Sequence, residues 1–169
     1  MKETKKFNIL SIDCDWIANL KQQEELLSFI IPIIYNHTDV QTAYSHKDIY
    51  PLFPHGYDEY NLINIDHHHD FHYGYNGKST ILLDEGNWLF HLSNVFKKKI
   101  NYTWISNPES EHIFMKEYRN LKSFNFDHNL DYIKEKKFDT IFICCSPDYV
   151  KIDLAISAYK IMEKLIYER

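Results

Sequence analysis

Cysteine is scarce in this 169-residue chain. Its three members, Cys14, Cys144 and Cys145, are odd in number and lack a CxxC spacing. That excludes a disulfide framework and a zinc ribbon, and leaves the thiols as small apolar strand residues. Glycine (4) and proline (5) are also few, which excludes collagen-like and linker-rich architectures. No apolar run approaches a membrane span; the longest is Leu26 to Tyr35. Positive charge is in deficit, with 19 Lys and Arg against 24 Asp and Glu, for a formal charge of −5. Nonspecific nucleic-acid binding needs a basic face, so no nucleic-acid partner is expected. A metal ion or a cationic substrate suits the balance better. The opening Met1-Lys2-Glu3-Thr4-Lys5-Lys6 does not read as a secretory signal, so a cytoplasmic protein without a membrane partner is expected.

What is present is apolar and aromatic mass. Hydrophobic residues make up 44%, charged residues 25% and aromatic residues 16% of the chain. That much aromatic area offsets chain entropy on burial and excludes wholesale disorder. The length predicts one domain over residues 1–169. Strand-like and helix-like segments alternate, which predicts an α/β domain with a mostly parallel sheet flanked by helices on both faces. Strands are expected at Phe7–Ile12, Asn61–Ile65, Asn101–Ser106 and Asp139–Cys145, with a short edge strand at Asp39–Tyr44. Helices are expected at Ala18–Ile34, His46–Phe53, Asn87–Lys98 and Pro147–Tyr167. Lys97-Lys98-Lys99 would close the third of these with favourable charge at a helix carboxyl end. Segment 107–137 is expected to hold a helix at Glu109–Tyr118 and a strand at Leu121–Phe126.

Two clusters lie just after apolar strands, where open α/β sheets build their sites. The first is Asp13-Cys14-Asp15; carboxylates two apart at a strand end point the same way. Its plain alternative is a helix-capping aspartate with a solvated neighbour. The second is Asp66-His67-His68-His69-Asp70, in which Asp66, His68 and Asp70 share one side of an extended chain. A dense set of ionisable groups at a buried strand end needs compensation, and carboxylates with an imidazole suit manganese, iron or zinc. Asp13, Asp15, Asp66, His68 and Asp70 exceed the needs of a single zinc and suit two hard divalent ions about 3.5 Å apart.

Asp66-x-His68-x-Asp70 together with Asp13-x-Asp15 resembles the ligand set of the arginase (ureohydrolase) superfamily, which places DxHxD and DxD around two manganese ions. The remaining family ligand is a histidine upstream of DxHxD. His46, in Ser45-His46-Lys47-Asp48, is the best match, with His55 and His37 as competitors. The two motifs occur here in the reverse of the family's chain order, so the resemblance implies a reduced and permuted arginase-like sheet. The segments Asn64–Asp70, Leu83–Leu89, Thr103–Ile105 and Cys145–Tyr149 further resemble the small peptide arginases of ribosomal-peptide maturation, over roughly residues 7–160. Those enzymes convert arginine side chains in precursor peptides to ornithine with release of urea. The resemblance implies two Mn2+ ions (Fe2+ or Zn2+ being the alternatives) and an arginine-containing peptide partner with a leader sequence. It also implies Asp13 and Asp66 as bridging ligands. His46 and Asp70 would complete one site, and His68 and Asp15 the other. Asp70 is the candidate proton relay, and Glu85 and Asp148 are the candidate catalytic and substrate-orienting acids. Asn87 is either a substrate contact or a helix N-cap. Trp88 and Trp104 read as core residues that could alternatively stack on a guanidinium.

Two other readings stand beside this one. Ile65-Asp66-His67-His68 also resembles the DHH motif of a phosphoesterase family that binds two manganese ions, though those chains normally carry a second domain. The chain could instead be a non-catalytic metal-binding or partner-binding module. Lys97–Lys99 and Lys134–Lys137 read as solvated faces, or as contacts for an acidic leader.

Overall fold

A computed structural model describes residues 4–71, 83–95, 97–110, 121–146 and 153–168. Burial rises along the first strand, β1 (Lys6–Asp13), from an exposed start to five fully buried residues at its end. The strand β3 (Glu59–Asp66) is buried almost throughout. With β2 (Val40–Thr42), β4 (Ile100–Ser106), β5 (Ser123–Asp127) and β6 (Thr140–Cys144) they form one sheet in the order β2-β6-β1-β3-β4-β5. Every pairing is parallel. All six strands therefore end at one edge of the sheet, and β1 sits near its middle.

A parallel sheet must be covered on both faces, and side-chain alternation supplies two apolar surfaces. Leu10, Ile12, Ile63, Ile65, Ile105, Ile141 and Ile143 face one core. It is closed by α1 (Leu20–Tyr35), α3 (Asp153–Tyr167) and a 3-10 turn, Leu130–Ile133. The helix α1 starts at Asn19, whose side chain accepts the Gln22 N–H, while Gln22 reaches back to Ala18. Its buried stripe is Gln23, Leu26, Ile30 and Ile34, and Gln23 donates to Leu154 of the segment that becomes α3. The opposite core holds Ile9, Tyr60, Leu62, Tyr102, Trp104 and Phe142, covered by a 3-10 segment, His46–Leu52, and by α2 (Trp88–Phe90).

The expected strands and α1 are present with small shifts of boundary. The expected Asn87–Lys98 helix is cut down to α2 and a π-helical turn, His91–Val95. The Lys98 N–H returns to the Leu92 carbonyl and Lys97 adopts φ +55°, so Lys97–Lys99 lie beyond the helix rather than in its last turn. The expected helix at Glu109–Tyr118 falls mostly on residues outside the described set, as does the start of the helix expected from Pro147. No described helix is long and apolar enough to cross a membrane.

Candidate metal centre

The strand ends carry the chemistry. Asp13 closes β1 and Asp66 closes β3, its hydrogen-bonded neighbour. The next residues do not continue as strand, which corrects the extended-chain picture of both motifs. Asp13 Oδ1 accepts the Asp15 N–H at 3.1 Å and caps a 3-10 turn, Cys14–Trp16. Asp66 Oδ1 likewise accepts the His68 N–H at 2.7 Å. Asp70 then takes φ +53°, a left-handed conformation that aspartate tolerates better than most residues. Turns, not strand alternation, therefore bring these carboxylates together.

His46 begins the 3-10 segment after β2 and is 1% exposed. Its Nδ1 stands 2.8 Å from Asp70 Oδ2, 3.0 Å from Asp66 Oδ2 and 3.3 Å from Asp13 Oδ2. A second group joins His68 Nδ1 to Asp15 Oδ2 at 2.8 Å, with Asp66 also in reach. Asp66 thus belongs to both groups. The competitors of His46 lie elsewhere. His37 bonds the Phe138 carbonyl just before β6, and His55 is exposed just before β3, both at the amino edge of the sheet.

Two atoms test whether these residues fit a metal. His46 Nδ1 and Asp15 Oδ2 are fully buried and make no well-formed hydrogen bond, one in each group. Buried polar atoms of this kind are costly unless something else satisfies them. One imidazole N–H cannot serve three carboxylate oxygens, whereas an ion among the four atoms would. The donors are carboxylate oxygens and imidazole nitrogens, which suit divalent transition ions. With Nδ1 as ligand, Nε2 carries the proton and donates to Ser11 Oγ, 2.7 Å away, which fixes ring and tautomer.

The electrostatics are those of a crowded acidic site. Burial and the charge of Asp70 push the Asp66 carboxyl up to about 7. Burial, Asp13 and Asp66 hold the Asp15 carboxyl well above the carboxylate range. Burial also works against the Asp13 anion, yet His46 and Ser146 more than offset it and lower its value. The His68 imidazole goes up to about 9, because the Asp15 carboxylate outweighs the opposing effect of burial. Like charges held this close are tolerable when a cation lies between them.

Neighbouring groups fix each carboxylate. The Trp88 indole donates to Asp70 Oδ2 at 2.6 Å, Asn64 donates to Asp66 Oδ2 at 2.9 Å, and the Ser146 hydroxyl donates to Asp13 Oδ2. The Trp104 indole donates to the Asp66 carbonyl at 3.0 Å. Both tryptophans are buried in the core, so they are not stacking platforms for substrate. His69 is buried and accepts the Phe71 N–H, and His67 lies beside Ser110. A pocket at the centre is lined by Asp13, Asp15, His68, Asp70, Glu85, Gly86 and Ser146. Asn87 stands at the N-cap position of α2, but its side chain accepts the Asp84 N–H instead of capping, and it is not among the pocket residues. Asp148 lies outside the described residues.

Ser11, Asn64 and Ser146 are the residues that motif reading missed. Ser11 and Asn64 each precede a ligand aspartate by two positions on the same strand face, which is the signal that could have found them. Cys144, an apolar strand thiol by its sequence, contributes its Sγ to a third ligand-capable group with Asp13 and His46. No protein-family model matches the chain, and no curated protein and no solved structure matches it either.

Proposed function

We propose that the chain is a two-metal guanidine hydrolase that converts arginine side chains in a peptide to ornithine, releasing urea. The observation that carries this reading is the sharing of Asp66 between two ligand groups beside a further carboxylate, Glu85, in the same pocket. His46, Asp13, Asp66 and Asp70 would hold one ion, and Asp15, Asp66 and His68 the other. Such a pair supplies a nucleophile from water at neutral pH and a clamp for the reacting centre.

The remaining chemistry belongs to the chain. Asp13, Asp15, Asp66 and Asp70 balance two divalent ions, which leaves Glu85 as surplus negative charge in the pocket. A cationic guanidinium suits that surplus, and its planar fork can take a carboxylate in a bidentate grip. A phosphodiester would meet it as repulsion. Trp88 holds Asp70 Oδ2, and the Asp70 carboxylate would pass a proton to the leaving amine. The resemblance to peptide arginases supports a peptide over free arginine as substrate. All three thiols are free, which suits a cytoplasmic setting.

The test is urea release after manganese loading, with an arginine-containing peptide, free arginine and a phosphodiester side by side. Urea from the peptide, abolished by Asp66→Asn, is expected. Phosphodiester cleavage without urea would overturn the reading, and urea from free arginine alone would overturn the substrate.

A further inference from the structure

The proposed centre uses oxygen and nitrogen donors, but a sulfur stands beside it. Cys144 ends β6 directly across from Asp13, its register partner in β1. The two side chains share the sheet face that also carries Ser11, the hydrogen-bond partner of His46. Ligand atoms of Asp13, His46 and Cys144 all lie within 4.8 Å of one another. At metal–sulfur and metal–nitrogen bonds of about 2.3 and 2.1 Å, small side-chain movements would draw three such atoms onto one ion. Cys14 and Cys145 pack in the opposite core, and neither joins a ligand-capable group among the described residues. The second mark lies on the imidazole of that group: His46 Nδ1 is fully buried and without a well-formed hydrogen bond.

We propose that the Cys144 thiolate is a ligand of the ion held by His46 and Asp13, which makes that position a mixed N/O/S site for a borderline-soft divalent cation such as zinc or cobalt. The inference rests on the two-metal reading above and deepens it. The thiol proton leaves to solvent as the sulfur–metal bond forms, so no oxidant or reductant is involved. The Asp15/Asp66/His68 position keeps oxygen and nitrogen donors only. The two positions then differ in softness, and the His46 position discriminates against manganese in favour of zinc and cobalt.

Cobalt(II) titration of the full chain, followed by absorption, tests this without any turnover. A thiolate bound to cobalt gives a near-ultraviolet charge-transfer band that oxygen and nitrogen ligands do not. The expected result is that band in the wild-type protein, its loss in Cys144→Ser with cobalt still bound, and its persistence in Cys14→Ser and Cys145→Ser. Zinc should displace the cobalt and bleach the band, and an equal concentration of manganese should not. Cobalt bound to the wild type without the band would overturn the Cys144 assignment and leave the two-metal reading standing. No cobalt bound at all would overturn both. The wild-type spectrum decides the matter even if Cys144→Ser fails to fold.

Discussion

The indole N–H of Trp88 donates to Asp70 Oδ2 at 2.6 Å, and that same oxygen stands 2.8 Å from His46 Nδ1. A buried tryptophan in the apolar core thereby aims one carboxylate at the centre. Trp88→Phe keeps most of the packing and removes the donor. Metal affinity at the His46 position should fall roughly 10- to 100-fold, the usual cost of losing an outer partner of a ligand. Competition with a chelating indicator measures this, and an unchanged affinity would contradict the role given to Trp88.

Ser11 serves His46 from the other side of the ring. Ser11→Ala removes the oxygen that fixes Nε2 as the protonated nitrogen. Affinity should drop by about tenfold or more at that position. The Asp15/Asp66/His68 position, which Ser11 does not touch, should bind as before. Two-step binding isotherms separate the two outcomes.

The metal-free protein should lose stability as pH rises. Asp66 is raised from 3.8 to about 7 and His68 from 6.5 to about 9 in the folded chain. A group raised on folding contributes stability that is complete below its unfolded value and is lost as pH climbs through the folded one. Asp66 therefore destabilises between pH 3.8 and about 7, and His68 between 6.5 and about 9. Bound ions reverse the trend, because the ligands must be deprotonated to coordinate. Denaturant melts across that range, with chelator and with metal, should show opposite slopes. A metal-free protein that gains stability towards alkaline pH would refute this electrostatic picture.

Glu85 has a role separable from metal binding. Glu85→Gln should leave the number of bound ions unchanged and lower kcat/KM for an arginine peptide roughly 10- to 100-fold, the value of one or more charge-assisted contacts. A loss of metal instead would place Glu85 among the ligands.

Much of this arrangement is legible in the sequence, for physical reasons. The runs FNILSI and NLINI carry apolar residues on both faces, as a parallel strand buried between helices must, and each is followed by an aspartate. Site position follows from that pattern alone. Side-chain direction does not. Asp70 reaches His46 through a left-handed residue, and Asp15 reaches His68 through a 3-10 turn, neither of which strand periodicity describes. Cys144 faces His46 only because β6 inserts between β2 and β1, a neighbour relation set by long-range packing. The short π-helical turn after α2 is similarly hidden, because its apolar spacing resembles that of an ordinary helix.

The central claim is that Asp66 serves two metal positions at once, and counting bound ions tests it most directly. Cobalt(II) retained after dialysis should number two per chain in the wild type and one in Asp15→Asn, with neither position holding its ion tightly in Asp66→Asn. A wild-type chain that takes up no metal, or an Asp66→Asn chain that still retains two ions, would contradict the account.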